Sequence, residues 1–251
     1  MQILNNPCKS NQAIGLKCLN KLLKTPRDKE SDPNNCCNIL NQNGYMELIF
    51  EKMKILLHDT DMNFYYYFIL IENFHLLLTY QNRSDKDFQL KDLGNQLKNQ
   101  DETYLIMIKN LALKDDVEFL QNNLNALITY ILPLMHCNLL KHGKITVKTI
   151  CLLLDRILIS TPLTLSLLIM EFIFDYVTRI DVCLCLKDLQ MIAVRLAKIH
   201  IKSTIENSAN DSKQLDQQIL RIFHLLENSS SKKNSEFLSE FRSKLKIFIE
   251  S

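Results

Sequence analysis

Apolar residues recur at spacings of three and four along most of this chain, the period of amphipathic helices rather than of strands. In "NQAIGLKCLNKLLK", residues 11–24, Ile14, Cys18 and Leu22 fall on one helical row, with Leu19 and Leu23 beside it. Pro26 closes that helix, because the residue before a proline avoids the α region. A short helix ends at Gln42, Gly44 supplies a left-handed stop, and a new helix opens at Tyr45. Further helices are predicted over 102–113, 115–132, 144–159, 162–178, 184–202, 214–227 and 235–249. Pro133 ends or kinks the second of these, and Pro162 suits a first helical turn, where its missing N–H costs nothing. The last has Phe237, Phe241, Leu245 and Phe248 on a single row, which suits capping the stack better than docking a partner. The polar interval 81–101 reads as a loop with one short helix at most. It is the possible internal boundary of a single helical domain spanning 1–251, and 203–213 and 228–234 read as polar linkers.

The run "MNFYYYFILIENFHLLLTY", Met62 to Tyr80, breaks the amphipathic rule, being apolar around most of its circumference. Glu72, with Asn63, Asn73 and His75, argues against a membrane span. At 100° per residue, Asp61, Tyr65, Phe68, Glu72, His75 and Thr79 form one narrow stripe. A helix apolar on its other sides packs on several of them, so this is an inner helix with one accessible stripe.

Composition strengthens the helical reading. Four glycines, five prolines and no tryptophan are too few turn residues for an all-β or doubly wound α/β chain. A net charge of +2 excludes a generally basic nucleic-acid or membrane-surface protein. The start, "MQILNNPCKS", has no charged segment leading into an apolar one, and Gln2 stands where myristoylation needs glycine. A cytoplasmic or nuclear location is expected. The eight cysteines, irregularly placed, then read as reduced thiols rather than a disulfide framework.

The segment "NILNQNGYMELIFEKMKILL" resembles the junction of armadillo repeats, where a helix ends, a glycine turns the chain and an apolar helix begins. "DVEFLQNNLNALITYILPLM" and "DLQMIAVRLAKI" are similar to the middle or inner helices of armadillo or HEAT units. No strict repeat period accompanies them. The resemblance implies an all-α fold, an irregular right-handed α-solenoid of armadillo/HEAT-like helical hairpins. It also implies a non-catalytic scaffold or adaptor that holds a partner peptide or helix on a concave surface. In kind, the degenerate repeats are similar to the helical parts of nuclear adaptors such as checkpoint-kinase partners and cohesin regulators.

Candidate chemistry is sparse. No nucleophile elbow, zincin, P-loop or dinucleotide motif occurs. Glu72 and His75, one turn apart, are the only general-base pair to consider, and an unrecognised helical enzyme around them is one alternative. His136, Cys137, His142, Cys183 and Cys185 lack the paired spacing of a zinc site, so no metal and no cofactor is expected. Lys141, Lys144 and Lys148 share a helical face and could touch nucleic acid, the feature a nuclear chromosome-maintenance subunit would use. Asp61, Tyr65, Phe68, Glu72 and His75 are the candidate partner-binding residues. Their acidic and aromatic mixture suits a protein segment carrying basic and apolar groups. The expected partner is therefore another protein, with nucleic acid not the main ligand and no membrane.

Overall fold

The computed structural model describes residues 8–24, 40, 44–58, 64–83, 90–180, 184–205, 211–229 and 235–243, and all regular structure among them is helical. In chain order the helices are α1 (Lys9–Lys24), α2 (Tyr45–Leu57), α3 (Phe64–Arg83), α4 (Leu90–Leu113), α5 (Val117–Ala126), α6 (Gly143–Ile159), α7 (Leu163–Ile180), α8 (Leu186–Ile205) and α9 (Asp211–Ser229). A further helix, α10, covers residues 235–243. Two compact units divide the chain. One is Met1–Met107 with Thr129–Leu134, the other Ile108–Ile128 with Met135–Ser251. Among the described residues, no helix is long and apolar enough to cross a membrane.

In the first unit, α1 and α2 both pack on α3. The expected inner helix is one: Tyr67, Leu70, Ile71, Phe74, Leu77 and Leu78 are all fully buried or nearly so. Gly44 sits at φ 67°, the left-handed conformation the sequence assigned to it, and leads directly into α2. For α1 the outcome differs from the expectation. Ile14, Cys18 and Leu22 face outward, Ile14 and Leu22 each 53% exposed, while Ala13, Gly15, Leu16, Leu19 and Leu23 are buried. The side that carries Leu16, Leu19 and Leu23 is the one that packs on α3. Lys54 of α2 is buried, and its ammonium donates to Glu51 and to Glu102 of α4 at 2.5 Å each. Burial opposes that charge, but the two carboxylates outweigh it and hold the Lys54 pKa above its ordinary value.

The interval read as a loop is mostly α4, which begins at Leu90 rather than near 102. Its middle hides from a periodicity argument because polar residues face inward. Asn99, Gln100, Asp101 and Thr103 are all buried. Pro133 does not end its helix. The backbone widens into a π turn over Leu127–Ile131, just ahead of the proline, and resumes as α-helix at Leu132–Met135, which contains Pro133.

In the second unit α7 packs on α5 and α9, and α8 on α6 and α9. Leu238 of α10 is fully buried, and Phe241 lies 6.4 Å from Phe223 of α9, centroid to centroid, so α10 covers part of α9. Leu245 and Phe248 lie outside the described residues. Burial in this core pushes the Tyr176 phenol up to about 12. The folded state therefore keeps that proton longer than the unfolded chain, whose tyrosines titrate near 10.0. The stabilising contribution is complete below pH 10 and is lost as pH climbs toward about 12. Stability should fall by about 1.4 kcal/mol per pH unit across that window. Urea midpoints compared at about pH 9 and about pH 11 should show the loss, and Tyr176→Phe should flatten it. Equal slopes in the two proteins would remove Tyr176 as the cause.

Candidate functional site

The accessible stripe of α3 becomes one wall of a groove whose other wall is α1. Tyr65 is 60% exposed, Phe68, Glu72, His75 and Thr79 are half-buried, and the rest of the helix from Ile69 to Leu78 is mostly buried. Asp61 lies outside the described residues. The groove encloses about 820 Å³, with Tyr65, Phe68 and Ile69 on the α3 side and Lys17, Lys21 and Lys24 on the α1 side.

A polar clamp holds the two walls together. Asn73 is fully buried and donates through Nδ2 to the Leu16 carbonyl at 3.0 Å. Asn20 Nδ2 donates to Asn73 Oδ1 and to Glu72 Oε2, both at 2.9 Å. Lys24 Nζ pairs with the other Glu72 oxygen, Oε1, at 2.7 Å. Both oxygens of Glu72 are thus engaged from α1. His75 is engaged elsewhere. Its Nδ1 lies 2.9 Å from the Tyr130 carbonyl oxygen, so Nδ1 carries the proton and donates, into the π turn beside Pro133. The two residues brace different neighbours, and neither holds the other in a general-base arrangement. Phe68 packs edge-on against Tyr130 at 5.6 Å. Burial, with the nearby Glu72 carboxylate, raises the Tyr130 pKa above the ordinary phenol value.

The electrostatics of the groove are not what α3 alone suggests. Helix α1 carries Lys9, Lys17, Lys21 and Lys24 and no acidic residue. Lys17 Nζ sits over the rings of Tyr65 and Tyr66, 5.0 and 5.3 Å from their centroids. Among the described residues, three ammonium groups and one carboxylate, that of Glu72, line the groove. The signal was present in "KSNQAIGLKCLNKLLK", but a charge balance taken over the whole chain averages it away.

The remaining candidates are dispersed. Lys141, Lys144 and Lys148 are all exposed, the first on a 3-10 turn and the others on α6. The side chains of His136, Cys137 and Cys183 lie outside the described residues, His142 is buried and Cys185 exposed. Among the described residues, no group of three His, Cys, Asp or Glu could hold a metal ion. Sequence reasoning missed a polar junction in the second unit, where His200 Nδ1 meets Asp216 Oδ1 at 2.8 Å and the Ser203 hydroxyl approaches the same carboxylate. The serine meets the carboxylate rather than the imidazole's far nitrogen, the wrong order for a Ser–His–Asp relay. This junction ties α8 to α9. No protein-family model matches the chain, and no curated protein is recognisably similar to it in sequence.

Proposed function

We propose that this chain is a non-catalytic binding scaffold or adaptor, and that the α1–α3 groove holds a peptide or helix from another protein. The observation that carries the reading is Tyr65. It is a large aromatic left 60% exposed on a helix whose described side chains are otherwise buried or half-buried, beside the groove's three lysines. Rigid aromatics give contact area at little entropic cost and are frequent anchors in protein interfaces. The side chains that could do chemistry there, Glu72 and His75, are already committed to Lys24, Asn20 and Tyr130. The packed all-helical architecture supports an irregular right-handed solenoid of armadillo/HEAT type as the frame for such a groove.

The test is affinity purification of the tagged chain from its native cells, beside a Tyr65→Ala variant whose folding is checked by thermal melting. The expected result is a reproducible partner whose recovery falls at least about tenfold with the folded variant, the size of an interface anchor's loss. Glu72 is the wrong residue to replace for this purpose, because it also braces α1. A partner retained in full by Tyr65→Ala would remove the groove from the proposal. A second reading, a chromosome-maintenance subunit touching nucleic acid, is favoured only by the exposure of Lys141, Lys144 and Lys148. It requires binding that weakens steeply with salt and is lost on replacing those three lysines.

A further inference from the structure

We propose that the cleft between α7 and α9 is a further binding site, and that it holds an extended segment of another protein by its main chain. All its lining residues belong to the second unit, so the site does not depend on the α1–α3 groove.

The cleft encloses about 710 Å³. Its α9 wall carries Gln214, Gln217 and Gln218, three amides at spacings of three and four and therefore on one face of the helix. Gln214 and Gln217 are exposed, and among the described residues neither makes a hydrogen bond. Gln218 is partly used, since its Oε1 accepts from Arg221 Nη1 at 3.1 Å. On the α7 wall Glu171 is exposed and makes no hydrogen bond or ion pair among the described residues.

These groups decide the occupant. A peptide that leaves water must find partners for its N–H and C=O groups. A sheet protein supplies them from an edge strand. Here all regular structure among the described residues is helical, and a helix spends its main-chain groups on itself. A glutamine side chain is the substitute, because it carries the same carbonyl acceptor and N–H donor as a peptide group. The spacing agrees. Side chains three and four apart on a helix stand about 5–6 Å from one another. Equivalent main-chain groups of an extended chain recur every second residue, about 6.6 Å apart. The flexible glutamine stem absorbs the difference, so neighbouring amides can meet alternate residues of one segment. Glu171 adds a carboxylate, which only accepts and so suits N–H groups on the segment's other edge.

Other occupants fit less well. A helix would bring the amides no free main-chain groups along its length. Nucleic-acid bases need an open ring face, and Phe174 of the cleft has the Arg221 guanidinium 4.5 Å from its ring centroid. Small-molecule pockets are lined mainly by apolar side chains, whereas only Ile128, Leu167 and Phe174 of the nine lining residues are apolar.

The experiment selects binders for the full chain from a displayed library of random peptides of about eight residues, long enough when extended to overrun the stretch from Gln214 to Arg221. Three variants are used in parallel: Gln214→Ala/Gln217→Ala, Glu171→Ala and Tyr65→Ala. The replaced side chains are all exposed, and thermal melting confirms that each variant folds. The expected result is a set of peptides with little sequence in common that bind the parent chain and keep their affinity with Tyr65→Ala. Affinity should fall at least about tenfold with the glutamine pair, by a smaller factor with Glu171→Ala, and at least about tenfold on N-methylating alternate peptide positions. Peptides that keep their affinity for the glutamine pair, or a library yielding none, would overturn the site. Peptides lost with Tyr65→Ala alone would do so too, while leaving the α1–α3 groove standing. Dependence on the glutamines without any response to N-methylation, or binders that are helical by circular dichroism, would overturn recognition of an extended main chain. A random single-stranded oligonucleotide whose binding is lost with the glutamine pair and exceeds that of the peptides would overturn the choice of protein. Self-association of the chain abolished by the glutamine pair would overturn it in favour of a second copy.

Discussion

Replacing Asn73 with alanine is expected to destabilise the first unit by about 3 kcal/mol, far more than an average surface substitution. The magnitude follows from the position. Asn73 is fully buried and makes two hydrogen bonds through its side chain, one to the Leu16 carbonyl and one from Asn20. Truncation removes both, leaves the Asn20 amide short of one acceptor, and opens a small cavity where α1 meets α3. The effect should concentrate in α1, whose buried residues Leu16, Leu19 and Leu23 have α3 as their packing surface. Amide hydrogen exchange should therefore accelerate along α1 before it does along α3. Glu72→Gln is the informative comparison, because it weakens the Lys24 pair but keeps an acceptor for Asn20, and should cost only about 1 kcal/mol. An Asn20→Ala/Asn73→Ala double variant should lose less than the sum of the single losses, since the two share one bond. If α1 exchanged at its parental rate in Asn73→Ala, the clamp would not be what holds the groove together.

What the sequence disclosed and what it hid divide along physical lines. Local periodicity placed the helices well, because each needs only its own residues to show which face is apolar. Gly44 was legible because a left-handed stop needs glycine, and the residues around it read as helix on both sides. The stripe on α3 followed from rotation angles alone. Its partner did not, since the clamp joins Asn20 to residues 52 and 53 positions away, and no local pattern reports which helix lies opposite. The same blindness explains α1, which carries two apolar rows. Only the presence of α3 decides that the Leu16, Leu19 and Leu23 side goes in and Ile14, Cys18 and Leu22 stay out. The first half of α4 was hidden differently. There the buried Asn99, Gln100 and Asp101 gave a polar signature to an inward-facing surface. The lysines that line the groove were missed for the first reason again, because they belong to the wall that sequence could not place.

Arg156→Ala should be the corresponding lesion in the second unit, costing about 2–4 kcal/mol. An α-helix leaves its last four carbonyls without intrahelical donors. For α4 these are the groups of Asn110 to Leu113, and the chain must turn within residues 114–116 to start α5. Lys114 N–H reaches the Asn110 carbonyl at 3.1 Å, and Asp116 caps α5 by accepting from the Phe119 N–H at 2.7 Å. The two carbonyls in between are met from α6. Arg156 Nη1 donates to the Leu111 oxygen at 2.7 Å and Nη2 to that of Ala112 at 3.2 Å. Nη2 also pairs with Asp115 at 2.7 Å. A guanidinium can do this because its donors are fixed in a planar fork and its charge favours the negative end of a helix. Lysine offers a single point of charge, so Arg156→Lys should recover less than half of the loss. Asp115 is 89% exposed on its side chain, and Asp115→Ala should cost under about 1 kcal/mol. The ordering of these three variants by urea denaturation is the decisive measurement. Full rescue by lysine would show that charge at the α4 terminus matters and the fork does not. A loss from Asp115→Ala equal to that from Arg156→Ala would show that the salt bridge, rather than the capping of α4, fixes this turn.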